Sequence, residues 1–218
     1  MQLKIFKRIA LIALMIFLSL LAWRVIRVVS SGGCIEDAYN MSSLLTRLSP
    51  ESRKIALGKD IETVCEGDLG KFRRHSRSIP IDTAKSQLEF KPINLNETLF
   101  AKLKSLGGMS ESSFGKRSIF YRFFEDQRGR KITLFEQDMS VNGLQAHRLP
   151  QYEPYRVHGL PARFVIFKAS SGEAVSFLDW VDRNKIYQIW VDEVSLHEET
   201  RSYIFLLAES LPTASDNR

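Results

Sequence analysis

Arg163-Phe-Val-Ile-Phe-Lys168, Glu173-Ala-Val-Ser-Phe-Leu-Asp-Trp-Val181 and Ile186-Tyr-Gln-Ile-Trp-Val191 are three apolar runs rich in β-branched and aromatic residues. Such runs fit a pleated, half-buried surface and read as strands. Two short clusters of turn formers separate them, Ala169-Ser-Ser-Gly172 and Asp182-Arg-Asn-Lys185. Connections this short join antiparallel neighbours, because a parallel pair needs a long crossover. In the last run, Ile186, Gln188 and Trp190 share one face and Tyr187, Ile189 and Val191 the other.

Working outward, Ser195-Leu-His-Glu198 matches a capping box, with Ser195 as N-cap. Leu196, Thr200, Tyr203, Ile204, Leu207, Ala208 and Leu211 then recur at helical spacing, and Pro212 ends the pattern. A helix with one apolar stripe must bury it, and the sheet beside it is the natural partner. Upstream, Ile119–Glu125 and Lys131–Glu136 flank Asp126-Gln-Arg-Gly129, a further hairpin signal. Asn96 reads as the cap of a short helix over Glu97–Leu106, stopped by Gly107-Gly108, with Ser110–Ser113 a polar loop. The expected fold is α+β: an N-terminal transmembrane helix, a helical hairpin, and a curved antiparallel sheet packed by a C-terminal helix. The expected divisions are 1–30, 31–78 and 79–218.

Gly159-Leu-Pro-Ala-Arg163, the hairpin, Leu178-Asp-Trp180, Tyr187 and Leu207-Ala-Glu-Ser-Leu211 together resemble a domain of unknown function. That domain recurs in the extracytoplasmic part of bacterial anti-sigma factors and in sporulation lipoproteins related to outer-membrane lipoprotein carriers. The likeness covers about the last quarter of the chain well and Ile119–Gln137 loosely, on packing and turn residues. It implies an extracytoplasmic module of envelope-stress or anti-sigma signalling.

The chain of 218 residues has a formal net charge of +6. Lys4, Lys7, Arg8, Arg24 and Arg27 carry nearly all of that surplus, with no Asp or Glu before Ser30. The rest is close to balanced, so charge gives no reason to expect nucleic acid as a partner. Ile5–Val29 is apolar enough and long enough to cross a bilayer, which takes about 20 residues. A cleaved signal peptide competes, but no small-x-small site follows the run promptly. Lipidation at Cys34 is a third reading, although Ser31-Gly-Gly-Cys34 lacks the usual Leu. We expect an uncleaved signal anchor in the bacterial inner membrane. Lys4, Lys7 and Arg8 would hold about eight residues in the cytoplasm and the remainder outside.

Cys34 and Cys65 are the two cysteines. Ile35–Leu48 and Pro50–Val64 read as helices, with Leu44, Leu45 and Leu48 facing Leu57, Ile61 and Val64. The cysteines would meet at the open end of that hairpin, and a disulfide there would give on the order of 3–4 kcal/mol. Lys71-Phe-Arg-Arg-His-Ser-Arg77 reads as a solvated basic linker, with contact to anionic headgroups as the functional alternative.

No catalytic set converges. His75, His147, His158 and His197 show no metal-ligand spacing, His158 reading as an ordinary strand position. P-loop, nucleophile-elbow and dinucleotide signatures are missing from the sequence. We expect no catalytic residues, no metal and no cofactor. The aromatic residues carry the one binding signal, with Tyr121, Phe123, Trp180, Tyr187 and Trp190 as a candidate binding face. The expected function is non-enzymatic: a single-pass, membrane-anchored module binding a protein partner in the envelope. With so short a cytoplasmic part, it would be an accessory of an anti-sigma system and not the sigma-binding protein. The alternative is a periplasmic carrier or chaperone holding lipid or lipoprotein on the aromatic face.

Overall fold

The computed structural model describes residues 60–64, 66–146, 153–192 and 198–213. The expected membrane anchor, both cysteines, most of the helical hairpin and the Ser195 cap lie outside the described residues. No helix among the described residues is long and apolar enough to cross a membrane.

The strands are β1 (Ile61–Thr63), β2 (Lys104–Ser113), β3 (Lys116–Glu125), β4 (Lys131–Asp138), β5 (Tyr155–Val157), β6 (Leu160–Lys168), β7 (Ala174–Asp182) and β8 (Lys185–Asp192). Helices α1 (Glu66–Leu69), α2 (Ile81–Ser86) and α3 (Glu198–Glu209) accompany them, with 3-10 turns at Arg74–Arg77, Leu99–Lys102 and Met139–Asn142. One curved, unclosed sheet runs in the order β1-β6-β7-β8-β4-β3-β2, with β5 also on β6. The three opening runs are its β6, β7 and β8. They are antiparallel neighbours in the register Val165↔Phe177 and Phe177↔Trp190. The α+β class with a C-terminal helix therefore holds.

The sheet is mixed, not antiparallel throughout. β1 lies parallel to β6, Ile61 opposite Ile166 and Thr63 opposite Lys168. The chain between them includes most of the domain, long enough to make a parallel crossover. The expected helix over Pro50–Val64 therefore does not extend through Ile61–Thr63. Ile61 and Thr63 are β-branched residues that extend readily along an open edge.

The expected helix over Glu97–Leu106 is also replaced. A single 3-10 turn at Leu99–Lys102 is followed by ten residues of β2, which take in Gly107, Gly108 and the supposed loop Ser110–Ser113. Gly107 has φ 102°, and a Cβ there would sit 2.4 Å from the Ile79 carbonyl oxygen. Gly108 exchanges both backbone bonds with Ile79 at 2.9 Å, which covers part of this outer edge. The two glycines thus allow a close approach of backbones and do not stop a helix.

Period-two alternation divides the core. On one side, Phe124, Ile132, Leu134, Leu178, Trp180, Tyr187, Ile189 and Val191 meet Ile204, Leu207, Ala208 and Leu211 of α3. These helix residues belong to the expected stripe, and Leu206 on the opposite side is exposed. On the other side, Tyr121, Phe123, Phe135, Val175, Phe177 and Trp190 gather with Leu69, Phe72 and Phe167.

The basic run Lys71–Arg77 is part of this second layer, not a solvated linker. Phe72 stacks on Phe167 at 5.0 Å and meets Trp190 edge-on at 5.2 Å. Arg73 grips Asp192 with two nitrogens, Nε–Oδ2 2.9 Å and Nη2–Oδ1 2.8 Å, and reaches Glu173 at 2.6 Å. The hydrogen bond to Asp192 is the main cause that raises the Arg73 pKa, with Glu173 adding to it. Arg74 binds both Glu111 oxygens at 2.9 and 3.0 Å and lies 5.2 Å over the Tyr121 ring. Asp192 and Glu111 belong to strands distant in sequence and Glu173 to the turn before β7, and their bonds to Arg73 and Arg74 fix the segment to the sheet.

Candidate functional site

Ile132, Leu134 and Glu136 alternate onto one face of β4, the face that carries the α3 core. Glu136 is fully buried there, and an isolated ionised carboxylate in such a place would be costly. Its two oxygens accept from every side. Ile93 N lies 3.1 and 3.0 Å from them, Arg122 Nη2 is 2.9 Å from Oε2, and Lys185 Nζ is 2.8 Å from Oε1. Strand register explains the convergence: Arg122 is opposite Leu134 on β3, and Tyr187 is directly opposite Glu136 on β8.

Arg122 is itself buried, and its Nη1 donates to the Ile93 carbonyl at 2.8 Å. Its Nε is buried with no hydrogen-bond partner among the described residues. Burial pushes the guanidinium pKa down, and the charge of Glu136 opposes that shift. Lys185 also donates to the Lys91 carbonyl at 2.9 Å and lies 5.1 Å over the Phe90 ring. One carboxylate thereby ties the Phe90–Ile93 connection to β3, β4 and β8.

A cavity of about 350 Å³ opens beside this cluster. Lys91, Pro92 and Ile93 form one wall, Asp138 and Ser140 a second, and the Asp182–Lys185 turn a third, with Tyr187 also lining it. Tyr187 is 3% exposed and stacks on Trp180 at 5.3 Å and 19°. Its pKa is raised, first by burial and then by Glu136, so the hydroxyl keeps its proton. Asp138 accepts from Ser140 N at 3.0 Å and caps the following 3-10 turn. A second cavity of about 260 Å³ lies beside Arg130 and Tyr203, where Arg130 stacks 4.3 Å over the tyrosine ring.

The five candidate aromatic residues do not share a face. Trp180 and Tyr187 lie under α3, whereas Tyr121, Phe123 and Trp190 lie in the opposite layer. All five are buried, Trp190 the most exposed at 7%. Trp190 packs within 6.5 Å of Phe72, Tyr121, Phe135 and Phe177 ring centroids. Its Nε1 is buried without a hydrogen-bond partner among the described residues.

One residue sits elsewhere than its sequence context suggests, and one was passed over. His158 lies in the two-residue turn between β5 and β6, not in a strand, with φ 50° followed by Gly159 at 76°. Its Nδ1 is 3.2 Å from Glu209 of α3. Glu136 carried no special reading at all. Its signal was an acid on the apolar face of an alternating strand, in register with Ile132 and Leu134. Cys34 and Cys65 lie outside the described residues, and among those described no three His, Cys, Asp or Glu side chains gather to hold a metal. No protein-family model, no curated protein and no solved structure matches the chain.

Proposed function

We propose that the chain is a membrane-tethered, non-enzymatic module whose folded part lies outside the bacterial inner membrane and binds a protein partner there. The observation that carries this reading over a lipid carrier is the burial of the aromatic residues on both sides of the sheet. A carrier needs a vacant apolar face or cleft for an acyl chain. Here Tyr121, Phe123, Trp180, Tyr187 and Trp190 are all enclosed by the protein's own side chains. The partner contact then falls on the outer surface, where Phe114 at the β2–β3 tip is 81% exposed.

The saturation of Glu136 supports a non-enzymatic role. Both oxygens are held by donors, which suits a structural anchor better than a general base. The likeness of the C-terminal strands and helix to anti-sigma extracytoplasmic domains supports an accessory role in envelope-stress signalling. The apolar run Ile5–Val29 bordered by Lys4, Lys7 and Arg8 supports the membrane anchor.

Native mass spectrometry of the full chain extracted from its own membranes tests the reading. A stoichiometric envelope protein, lost on Phe114→Ser, is the expected result. A co-purifying lipid with no protein would overturn it in favour of the carrier. An alkaline-phosphatase fusion at Arg218 should be active, and a cytoplasmic reporter there should be silent. Non-reducing gels of the wild type and Cys65→Ser report whether Cys34 and Cys65 are joined.

A further inference from the structure

We propose that the cavity beside Glu136 is a binding site for a small carboxylate, held by the Tyr187 hydroxyl and the Lys185 ammonium. This rests on the donors and acceptors at the cavity floor and is independent of the partner-binding reading. Glu136 has its acceptor positions occupied by Ile93, Arg122 and Lys185. The floor therefore offers a ligand few acceptors. It does offer donors. Lys185 has three N–H groups, of which the Glu136 and Lys91 oxygens take two. Tyr187 is 3% exposed as a residue and lines the cavity, so its hydroxyl is a second donor there. A hydroxyl facing the cavity can donate to an acceptor bound there. Its raised pKa keeps it a donor at any ordinary pH.

Charge points the same way. Arg122 and Lys185 together outweigh Glu136, and Lys91 and Arg183 at the rim stand against Asp138 and Asp182. These groups carry one net positive charge, and an anionic acceptor meets it together with the Lys185 ammonium, a carboxylate doing so with two oxygens. The rim acids can in turn accept from an amide or ammonium N–H of the same ligand. The volume of about 350 Å³ suits an amino acid or the last residues of a peptide. The shared chemistry is an α-carboxylate, carried either by a free amino acid or by a polypeptide C-terminus.

Isothermal titration of the full chain in detergent micelles tests this, with alanine, N-acetyl-dialanine and N-acetyl-dialanine amide as probes. The acid forms should bind, and the amide should bind at least about tenfold more weakly. Alanine binding better than N-acetyl-dialanine assigns the site to free amino acids, and the reverse to peptide ends. Tyr187→Phe keeps the stack on Trp180 and removes only the oxygen, so it should weaken binding about tenfold. Lys91→Gln, at an exposed position that leaves the fold intact, should weaken it by a smaller factor. Absence of binding by every probe at about 10 mM, which leaves Kd above the millimolar range, would overturn the proposal. So would an amide that binds as tightly as the acid, or a folded Tyr187→Phe with unchanged affinity.

Discussion

Arg122 and Glu136 meet at 2.9 Å with side chains 5% and 0% exposed, on adjacent strands and inside the same apolar layer as Trp180 and Leu178. Removing one member of such a pair leaves a buried charge uncompensated. Glu136→Ala should therefore cost about 3–5 kcal/mol in urea unfolding, far more than an average substitution. Arg122→Leu should fall in a similar range, since it takes the charged donor from Glu136 Oε2, which keeps only Ile93 N, and the donor from the Ile93 carbonyl. The double variant should be less destabilised than the sum of the two, with a coupling of more than about 1 kcal/mol. Additive losses would mean that Lys185 and the Ile93 amide hold Glu136 without help from Arg122.

Trp190 supports a second prediction through its contact with Phe72, 5.2 Å away and nearly perpendicular. Trp190→Ala should cost about 3–5 kcal/mol as a buried large aromatic. Phe72→Ala should also destabilise the fold, and the two losses should be non-additive, because each variant empties part of the same cluster. Thermal unfolding of the single and double variants decides it. A Trp190→Ala chain that melts like the wild type but loses the proposed partner would move this residue from the core to an interface.

What could be read from the sequence follows the range of the interactions. β6, β7, β8 and α3 were legible because each is coded by its own residues and joined by short turns. β1 was not, since its three residues are strand only by virtue of Ile166–Lys168, far along the chain. β2 misled in a specific way. Leu99, Phe100, Leu103 and Leu106 repeat at helical spacing, and Gly107-Gly108 resembles a helix stop. The glycines instead admit the Ile79 backbone, a contact invisible locally. Arg73 and Arg74 looked solvated for the same reason, because Asp192, Glu173 and Glu111 are brought to them only by the folded sheet. In the candidate site, Glu136 left a weak trace in its alternation with Ile132 and Leu134, whereas Lys185 looked like an ordinary turn residue.

Tyr155 gives a pH prediction. Its hydroxyl donates to Asp60 at 2.6 Å, at the entrance to β1, and Arg201 of α3 lies 4.7 Å over its ring. Burial, then the bond to Asp60, pushes its pKa up to about 12 from 10.0, and Arg201 works against that rise. The folded state therefore holds this proton more tightly than the unfolded chain. The associated stability is fully present below pH 10 and is lost as pH rises towards about 12. Tyr155→Phe should flatten the alkaline fall in stability over that interval relative to the wild type. Lysines titrate there in both proteins, so the difference between the two curves is the quantity to measure. Parallel curves would show that folding does not raise the pKa of the Tyr155 hydroxyl.

Phe114 and Gly115 form the two-residue turn between β2 and β3, with Ser113 opposite Lys116. Their φ values are 51° and 78°, the left-handed pair that a tight hairpin of this kind requires. Gly adopts that conformation freely, but a phenylalanine in it is strained by about 1 kcal/mol or more. The ring recovers nothing from packing, since it is 81% exposed. Phe114→Asn creates the Asn-Gly pair that such turns favour, and should stabilise the fold by about 0.5–1 kcal/mol. A substitution that improves folding while removing an exposed aromatic separates stability from binding. If the tip is where the proposed envelope partner docks, Phe114→Asn should raise the melting temperature and lower partner recovery in the same preparation. Unchanged recovery from the more stable variant would place the partner contact elsewhere on the surface and leave the strained phenylalanine without a binding role.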